Sequence, residues 1–347
     1  MEKVYFGENS LNQEVYKYKI ENKNGMKVVL TDIGAAVVEI WVKDKNGELK
    51  DVVLGYDEVG LYETEGTYFG ATVGRYANRI ADAKFELDGV VYQLDVNNNE
   101  NTLHSGKPGM GKRVWSIKEH DEDKITFTCS SEHLADDFPG NVVCDVTYEV
   151  TEANELKISY YGVSDKKTVF NMTNHSYFNL KGHDAGDVLD QELWLNASAY
   201  TPVKNEKAIP TGEIATVEGT PFDFRVAKKI GRDIEEEHEQ LIFGQGYDHN
   251  FALDKTNDSV EKIAEAYCEE TGIVMEVSTD CIGVQFYTGN FLDEPVGKNG
   301  CKYERRYGFC LETQYFPNAI NEPNFVSPIT EANEPYQTTT IYAFGVR

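Results

Sequence analysis

An uncharged polar segment, "FNMTNHSYFNL" at residues 170–180, contains amides, hydroxyls and one histidine in a chain rich in Lys, Glu and Asp. If the segment is extended, Asn171, Thr173, His175 and Tyr177 share one face. Of these four side chains, His175 is the one that exchanges protons near neutral pH. Two interpretations stay open: a buried hydrogen-bond network, or a site for a neutral, hydroxyl-rich ligand.

A carboxylate in apolar surroundings is the second chemical feature. Glu312 lies in "GFCLETQYFPNAIN", among Phe, Cys, Leu and Tyr residues. A carboxyl group in such company must be paired or must have a raised pKa, because burial disfavours its charged form. A raised pKa suits a carboxylate to act as a general base.

Three further segments carry side chains that could serve a site. In "GRYANRI" we expect Arg75 to form a surface salt bridge, whereas Arg79 is either structural or functional. In "NTLHSGKPG" His104 lies among turn residues, where a lone histidine is often incidental. In "GYDHNF" Asp248 and His249 are adjacent, so on an extended chain they point apart and do not make a natural metal pair.

Composition excludes several classes of partner. The formal net charge of −26 at pH 7 repels nucleic acid and anionic membranes and disfavours phosphorylated substrates. The six cysteines form no CxxC pair, so we expect no metal site, and disulfides are not needed in a chain of this length. No 18-residue apolar run and no apolar signal core occur, and we expect a cytoplasmic protein.

Alternating hydrophobicity indicates that strands must position these side chains. "KFELDGVVYQLDV" (84–96) predicts a hairpin around Asp88-Gly89, and residues 142–163 predict another that turns near residues 152–154. No βαβ alternation, linker or repeat appears. We therefore predict an all-β sandwich of large sheets in a single domain over residues 1–347.

Two segments favour helix on propensity. "GRDIEEEHEQL" (231–241) predicts a short surface helix capped by Asp233. In residues 260–279, the spacing of Val260, Ile263, Ala264 and Tyr267 fits a helix, but the Gly272 turn and the strand-like "IVMEVSTD" fit a hairpin.

At these segments the chain resembles the aldose 1-epimerase family, also called galactose mutarotases. The segments that carry the resemblance run from about residue 70 to 325: "GRYANRI", "NTLHSG", "TNHSYFNL", "TPVKNEKAIPTGEI", "GTPFDFR", "YDHNF", "GVQFYTGNF" and "CLETQYFPNAIN". The resemblance implies an antiparallel β supersandwich, and it favours the hairpin for residues 260–279. It also implies interconversion of the α and β anomers of free aldoses such as galactose and glucose, with no cofactor and no metal.

The resemblance also implies roles for individual residues. Glu312 matches the general base that takes the proton of the C1 hydroxyl, and His175 matches the general acid that protonates the ring oxygen. The remaining matched residues hold sugar hydroxyls or line the pocket: Arg79, His104, Asp248, Asn78, Tyr177 and Gln285. The expected partner is a free sugar; the sequence makes no prediction of oligomeric state.

The sequence departs from the family pattern in the 131–141 loop "SEHLADDFPGN", at Ser105 and at Val326. The first two departures are expected to affect sugar preference and not reaction type. Three alternative functions stay open. A hexose-6-phosphate mutarotase would use Arg75 and Arg79 for the phosphate, and a glycoside hydrolase would use Asp248 with Glu312. A non-catalytic sugar-binding protein would usually lack the acid or the base.

Overall fold

Strands account for most of the regular structure in the computed structural model, which describes residues 2–347. The strands are β1 (Glu2–Glu8), β2 (Glu14–Glu21), β3 (Lys27–Thr31), β4 (Ala36–Lys43), β5 (Leu49–Asp51), β6 (Thr72–Val73), β7 (Arg79–Ile80), β8 (Lys84–Leu87), β9 (Val90–Gln93), β10 (Thr102–Leu103), β11 (Ser116–His120), β12 (Lys124–Ser131), β13 (Val142–Val150), β14 (Glu155–Ser164), β15 (Thr168–Val169), β16 (Thr173–Asn174), β17 (Glu192–Leu195), β18 (Ala199–Tyr200), β19 (Ala215–Thr216), β20 (Lys228–Lys229), β21 (Asp248–Ala252), β22 (Glu261–Tyr267), β23 (Ile273–Thr279), β24 (Gly283–Tyr287), β25 (Cys310–Gln314), β26 (Ile329–Thr330) and β27 (Tyr336–Val346). The helices are α1 (Val59–Thr64) and α2 (Glu239–Gly244), with 3₁₀ turns at Ala81–Ala83, Met110–Lys112 and Lys298–Gly300.

Three large sheets dominate, and every pair of neighbouring strands in them is antiparallel. The largest has nine strands in the order β11-β12-β13-β14-β27-β23-β22-β17-β20. The other two have five strands each, β1-β2-β3-β4-β5 and β19-β18-β21-β24-β25. The predicted all-β, antiparallel supersandwich is therefore confirmed, whereas the assignment of residues 1–347 to a single domain stays a prediction.

A shared hydrophobic core joins the three sheets. Ile40 of β4, Val146 of β13 and Phe286 of β24 belong to one cluster of buried side chains. The alternating sequence explains how each strand contributes: along β14, buried Leu156 and Ile158 alternate with half-buried Lys157 and Ser159. Successive side chains of a strand point to opposite faces, so one face enters the core.

Local turn chemistry fixes both predicted hairpins. Asp88 and Gly89 join β8 to β9 with φ values of 52° and 78°, the two positive values that a type I′ turn requires. Strands β13 and β14 pair in register from Val142 with Ser164 onward. Asn154, with a φ of 60°, lies in the turn between them.

The predicted helix over residues 231–241 is wrong. Residues 231–238 form turns, and α2 begins only after His238, whose Nδ1 accepts a hydrogen bond from the Gln240 amide. Asp233 does not cap a helix because its carboxylate accepts hydrogen bonds from Lys228 and Arg232. Helix propensity is a weak determinant of local structure where a side chain has tertiary partners.

Residues 260–279 form the hairpin that the resemblance favours. β22 and β23 pair antiparallel, with an irregularity in register between Lys262 and Ala264. Gly272, with a φ of 72°, lies between the strands. The helical spacing of the apolar residues is therefore not realised, because both strands extend the nine-stranded sheet.

Two further expectations concern disulfides and membrane-spanning segments. All six cysteines are free thiols. Within residues 2–347, no helix combines the length and the apolar character that crossing a bilayer requires.

Candidate active site

One face of the sheet formed by β21, β24 and β25 supplies the chemical groups at the base of a cavity. In the register, Gln285 of β24 pairs with Glu312 of β25, and Tyr287 pairs with both Cys310 and Asp248. Because side chains alternate along a strand, these five residues lie on the same face of the sheet. The sheet thus places Asp248, Gln285 and Glu312 together although they are distant in sequence.

Residues 170–180 include both structural side chains and side chains that line the cavity. The regular strand in this segment is β16, Thr173–Asn174. Asn171 is structural, since its side chain bonds the carbonyl of Ala77 and the amide of Tyr315. His175 and Tyr177, in contrast, line the cavity.

The cavity has a volume of about 430 Å³, which is in the range of small-molecule sites. All eight predicted site residues line it: Asn78, Arg79, His104, His175, Tyr177, Asp248, Gln285 and Glu312. Its lining also includes Tyr287 and Phe291 of the segment "GVQFYTGNF", and residues that the sequence analysis missed, among them Tyr68, Asn98 and Glu206.

Glu312 and His175 meet at the base of the cavity. Nε2 of His175 lies 3.6 Å from Oε2 of Glu312, a contact longer than a hydrogen bond. Among residues 2–347, no group donates a hydrogen bond to Oε2, although this atom is buried. A buried carboxyl oxygen without a protein partner is available to a ligand hydroxyl.

Burial shifts the pKa values of these two groups in opposite directions. The pKa of Glu312 is raised well above its ordinary value, first by burial and then by the negative charge of Asp248, against the opposing charge of Arg79. The pKa of His175 is lowered to about 4, mainly by burial. These opposite shifts disfavour an ion pair between the two groups in the free site and favour the neutral pair, which holds one proton.

Aromatic rings fix the orientation of His175. Its imidazole lies near-parallel to the ring of Tyr177, at 5.1 Å between centroids, and to that of Tyr68, at 6.1 Å. The ring of His104 meets it edge to face at 5.3 Å. Tyr68 was missed because its loop reaches the site only through the tertiary fold.

The hydrogen bond that His104 accepts from the backbone leaves Nε2–H as the donor of its ring. Its Nδ1 accepts the backbone N–H of Asn78 at 3.2 Å, and burial lowers its pKa well below the ordinary value, so the neutral ring carries its proton on Nε2. The ligand atoms of His104, His175 and Glu312 lie within 4.8 Å of one another, and two histidines with a glutamate can bind zinc. His104 fits a metal poorly, because the nitrogen that faces Asn78 cannot take the proton that ligation through Nε2 would require.

A charged and amide network forms one wall of the cavity. Gln285 Nε2 donates to Oδ1 of Asp248 at 2.7 Å, and Arg79 Nη2 lies 3.9 Å from Oδ2 of Asp248. Arg79 Nε donates to Oδ1 of Asn98 at 3.2 Å. Asn98 belongs to the polar run "NNNEN", and that run of amides is the sequence signal that could have found it.

Arg75 does not form the predicted surface salt bridge. It is fully buried, and its guanidinium donates to the carbonyls of Pro139 and Gly140 and to the hydroxyl of Thr168. The expectation failed because loop carbonyls, not a carboxylate, satisfy the cation. Arg75 does not line the cavity, where Arg79 is the one Lys or Arg residue among the lining residues.

The departures from the family pattern lie outside the cavity lining. Ser105 bonds both the amide and the carbonyl of Tyr76, so it braces one loop against another. Loop 131–141 supplies two carbonyls to Arg75, and Val326 is exposed. The effect on sugar preference expected of Ser105 and of the 131–141 loop would have to be indirect.

Comparison with known proteins yields consistent similarities. The model of the family described as aldose 1-epimerase matches residues 16–343. The galactose mutarotase of Sus scrofa is 40% identical over 333 residues, 96% of this chain and 94% of that protein. The aldose 1-epimerase of Haemophilus influenzae is 40% identical over 332 residues, 94% of each chain.

Solved structures agree with these matches. The structure of an aldose epimerase homologue from C. elegans superposes with a TM-score of 0.88 at 30% identity, covering 95% of this chain and 98% of that one. The structure of a galactose 1-epimerase from Lactobacillus acidophilus superposes with a TM-score of 0.85 at 26% identity, covering 99% and 98%.

Proposed function

This chain belongs to the aldose 1-epimerase family, and we propose that Glu312 and His175 are the general base and the general acid of its reaction. The enzyme is an isomerase with mutarotase activity. The observation that carries the assignment of roles is the buried Oε2 of Glu312, which has no hydrogen-bond partner among residues 2–347 and lies 3.6 Å from Nε2 of His175.

The two side chains can move the two protons that ring opening requires. Glu312 takes the proton of the C1 hydroxyl, and the electrons of that O–H bond form the C1=O double bond. The bond between C1 and the ring oxygen breaks, and its electron pair takes a proton from Nε2 of His175. Rotation about C1–C2 and the reverse transfers close the ring as the other anomer.

Burial favours both proton transfers, the one to Glu312 and the one from His175. Before ring opening the reacting pair is a carboxylate and an imidazolium; afterwards it is a carboxylic acid and a neutral imidazole. The raised pKa of Glu312 makes its carboxylate a stronger base, and the lowered pKa of His175 makes its imidazolium a stronger acid. The charged form has the same single proton as the resting pair, and the positive charge of Arg79 stabilises its carboxylate.

The cavity walls suit a neutral sugar. Arg79 and His104 present donors, Asp248 presents acceptors, and the ring of Tyr177 offers an aromatic face. Relatives named galactose mutarotase support galactose as a substrate, with glucose as the second free hexose to test. A phosphorylated sugar is disfavoured because Arg75, one of the two cations that it would need, is buried outside the cavity.

Polarimetry tests the activity directly. Crystalline α-D-galactose and α-D-glucose are dissolved with and without the protein, and the optical rotation is followed against the spontaneous rate. We expect a large acceleration with both free sugars and a small one with glucose 6-phosphate. A clear preference for the phosphate ester would contradict the proposed substrate class.

The reaction should have a bell-shaped dependence of kcat/KM on pH. The active pair holds one proton, so activity falls when a second proton binds, near the pKa of about 4 of His175. Activity also falls when the only proton is lost, which the raised pKa of Glu312 places well above the ordinary value of 4.5. Polarimetry from pH 3 to 10, corrected for buffer catalysis, measures both limbs. An acidic limb at pH 6 or above would contradict the assignment.

Replacing Arg79 by methionine should weaken sugar binding more than it slows the chemical step. The substitution keeps the aliphatic stem but removes a charged donor beside Asp248. A hydrogen bond to a charged group contributes about 1.5–3 kcal/mol, so we expect kcat/KM to fall about 10- to 100-fold, mostly through KM.

Arg225→Met provides the matched control for Arg79→Met. Arg225 is exposed and bonds the neighbouring Asp223, outside the cavity lining. Its loss should leave kcat and KM unchanged. A normal KM in Arg79→Met would remove Arg79 from the proposed sugar contacts.

We also propose that the protein acts in the cytoplasm as a single domain. Six free thiols support a reducing compartment, because oxidising compartments favour disulfides. The net charge of −26 supports the expectation that neither nucleic acid nor an anionic membrane is a partner.

A further inference from the structure

The two ring nitrogens of His175 face different side chains of one strand. Nε2 lies 3.6 Å from Glu312, and Nδ1 lies 3.6 Å from Sγ of Cys310, within hydrogen-bond range for sulfur. Cys310 and Glu312 are two residues apart on β25, so their side chains emerge on the same face. Two side chains of one strand thus face the two ring nitrogens of His175.

The thiol of Cys310 stays protonated. Burial is the main cause that raises its pKa well above the ordinary value, and the nearby carboxyl groups of Glu312 and Asp248 add to the effect. A thiol is both a weak donor and a weak acceptor. It can therefore accept from Nδ1–H of the imidazolium and also from Nδ1–H of the neutral imidazole that remains once Nε2 has given up its proton, so it partners this nitrogen throughout the proposed cycle.

The other groups around the ring do not replace this contact. Tyr68 and Tyr177 pack near-parallel to the imidazole, and His104 meets it edge to face. Asp248 acts on it through its charge. The backbone carbonyl of His175 itself is a competing acceptor for a ring N–H, and this oxygen also accepts the amide of Gly70 at 3.0 Å.

We propose that Cys310 is a positioning residue for the reaction: its thiol holds Nδ1 of His175, so that Nε2 carries the exchangeable proton toward the sugar ring oxygen. The proposal rests on the role proposed above for His175. The proposal gives the Cys310 thiol a function beyond packing. It predicts that a hydroxyl at the same position performs the same function.

Two substitutions separate hydrogen bonding from packing. Cys310→Ala removes the partner of Nδ1, and we expect kcat to fall about 3- to 10-fold with KM unchanged, the effect of one lost hydrogen bond. Cys310→Ser keeps a donor and an acceptor, and it should recover most of kcat. Cys268→Ala, which removes a buried core thiol outside the cavity lining, should leave kcat unchanged.

Long-range ¹H–¹⁵N spectra of histidine-labelled protein add a readout that needs no variant. At neutral pH we expect His175 of the unaltered enzyme to be a single tautomer protonated on Nδ1, and Cys310→Ala to show a mixture of the two tautomers. This measurement keeps the proposal testable even if a variant fails to fold.

A neutral ring with its proton on Nε2 in the unaltered enzyme would overturn the proposal, and so would a folded Cys310→Ser enzyme that is as slow as Cys310→Ala. Unchanged kcat in Cys310→Ala would also overturn it. These results differ from a failure of the proposed function, which would appear as near-normal turnover in His175→Asn whatever the tautomer.

Discussion

Glu312→Gln should lower kcat about 10²- to 10⁴-fold while the protein stays folded, because it removes the base that takes the proton of the C1 hydroxyl in the proposed mechanism. The amide nearly preserves the shape of the carboxyl group. It also removes a group that is 3% exposed and has an unpartnered oxygen, so no protein hydrogen bond to that oxygen is lost. Thermal unfolding should therefore be unchanged or shifted to higher temperature, and polarimetry at saturating galactose gives kcat.

Glu119→Gln is the control for this change. Glu119 is an exposed residue of β11 and does not line the cavity, so its loss should leave turnover unaffected. Near-normal rates in a folded Glu312→Gln enzyme would end the assignment of Glu312 as the base. Retained sugar binding with lost turnover would instead support it, since binding depends on the other wall of the cavity.

The sequence predicted the parts of the fold that are determined locally. Asp88-Gly89 fixes a hairpin because both residues adopt positive φ in a two-residue turn. The helix predicted at residues 231–241 failed for a non-local reason: Lys228 and Arg232 occupy the carboxylate of Asp233. Residues 260–279 show the same limit, since their helical spacing yields to pairing within the nine-stranded sheet.

The residues of the candidate site likewise divide into those that residue order could reveal and those whose place depends on the tertiary structure. Glu312 could be recognised from residue order because a carboxylate among apolar side chains is chemically conspicuous, whereas its burial is a finding of the structure. Tyr68 could not, because its place in the cavity depends on how distant loops meet, and for Asn98 the surrounding run of amides was the one sequence signal. Arg75 was misjudged because a charged side chain was expected to need a carboxylate, whereas loop carbonyls satisfy it.

His175→Asn should also lower kcat about 10²- to 10⁴-fold, and it should change the pH dependence in a way that a binding defect would not. The amide keeps polar atoms near Cys310 and Glu312 but cannot supply a proton to the ring oxygen. The acidic limb near the pKa of about 4 should disappear, because it reports protonation of this imidazole. Kinetics over the full pH range, with spontaneous mutarotation subtracted, measure both effects.

His104→Asn is the matched comparison, because it alters a second buried imidazole of the same cavity. The backbone amide of Asn78 holds Nδ1 of His104 as an acceptor, so this ring donates a hydrogen bond but does not exchange protons in the reaction. We therefore expect His104→Asn to raise KM and to keep the acidic limb. If His104→Asn abolished the limb and His175→Asn kept it, the role of general acid would pass from His175 to His104, and Glu312 would need a different proton partner.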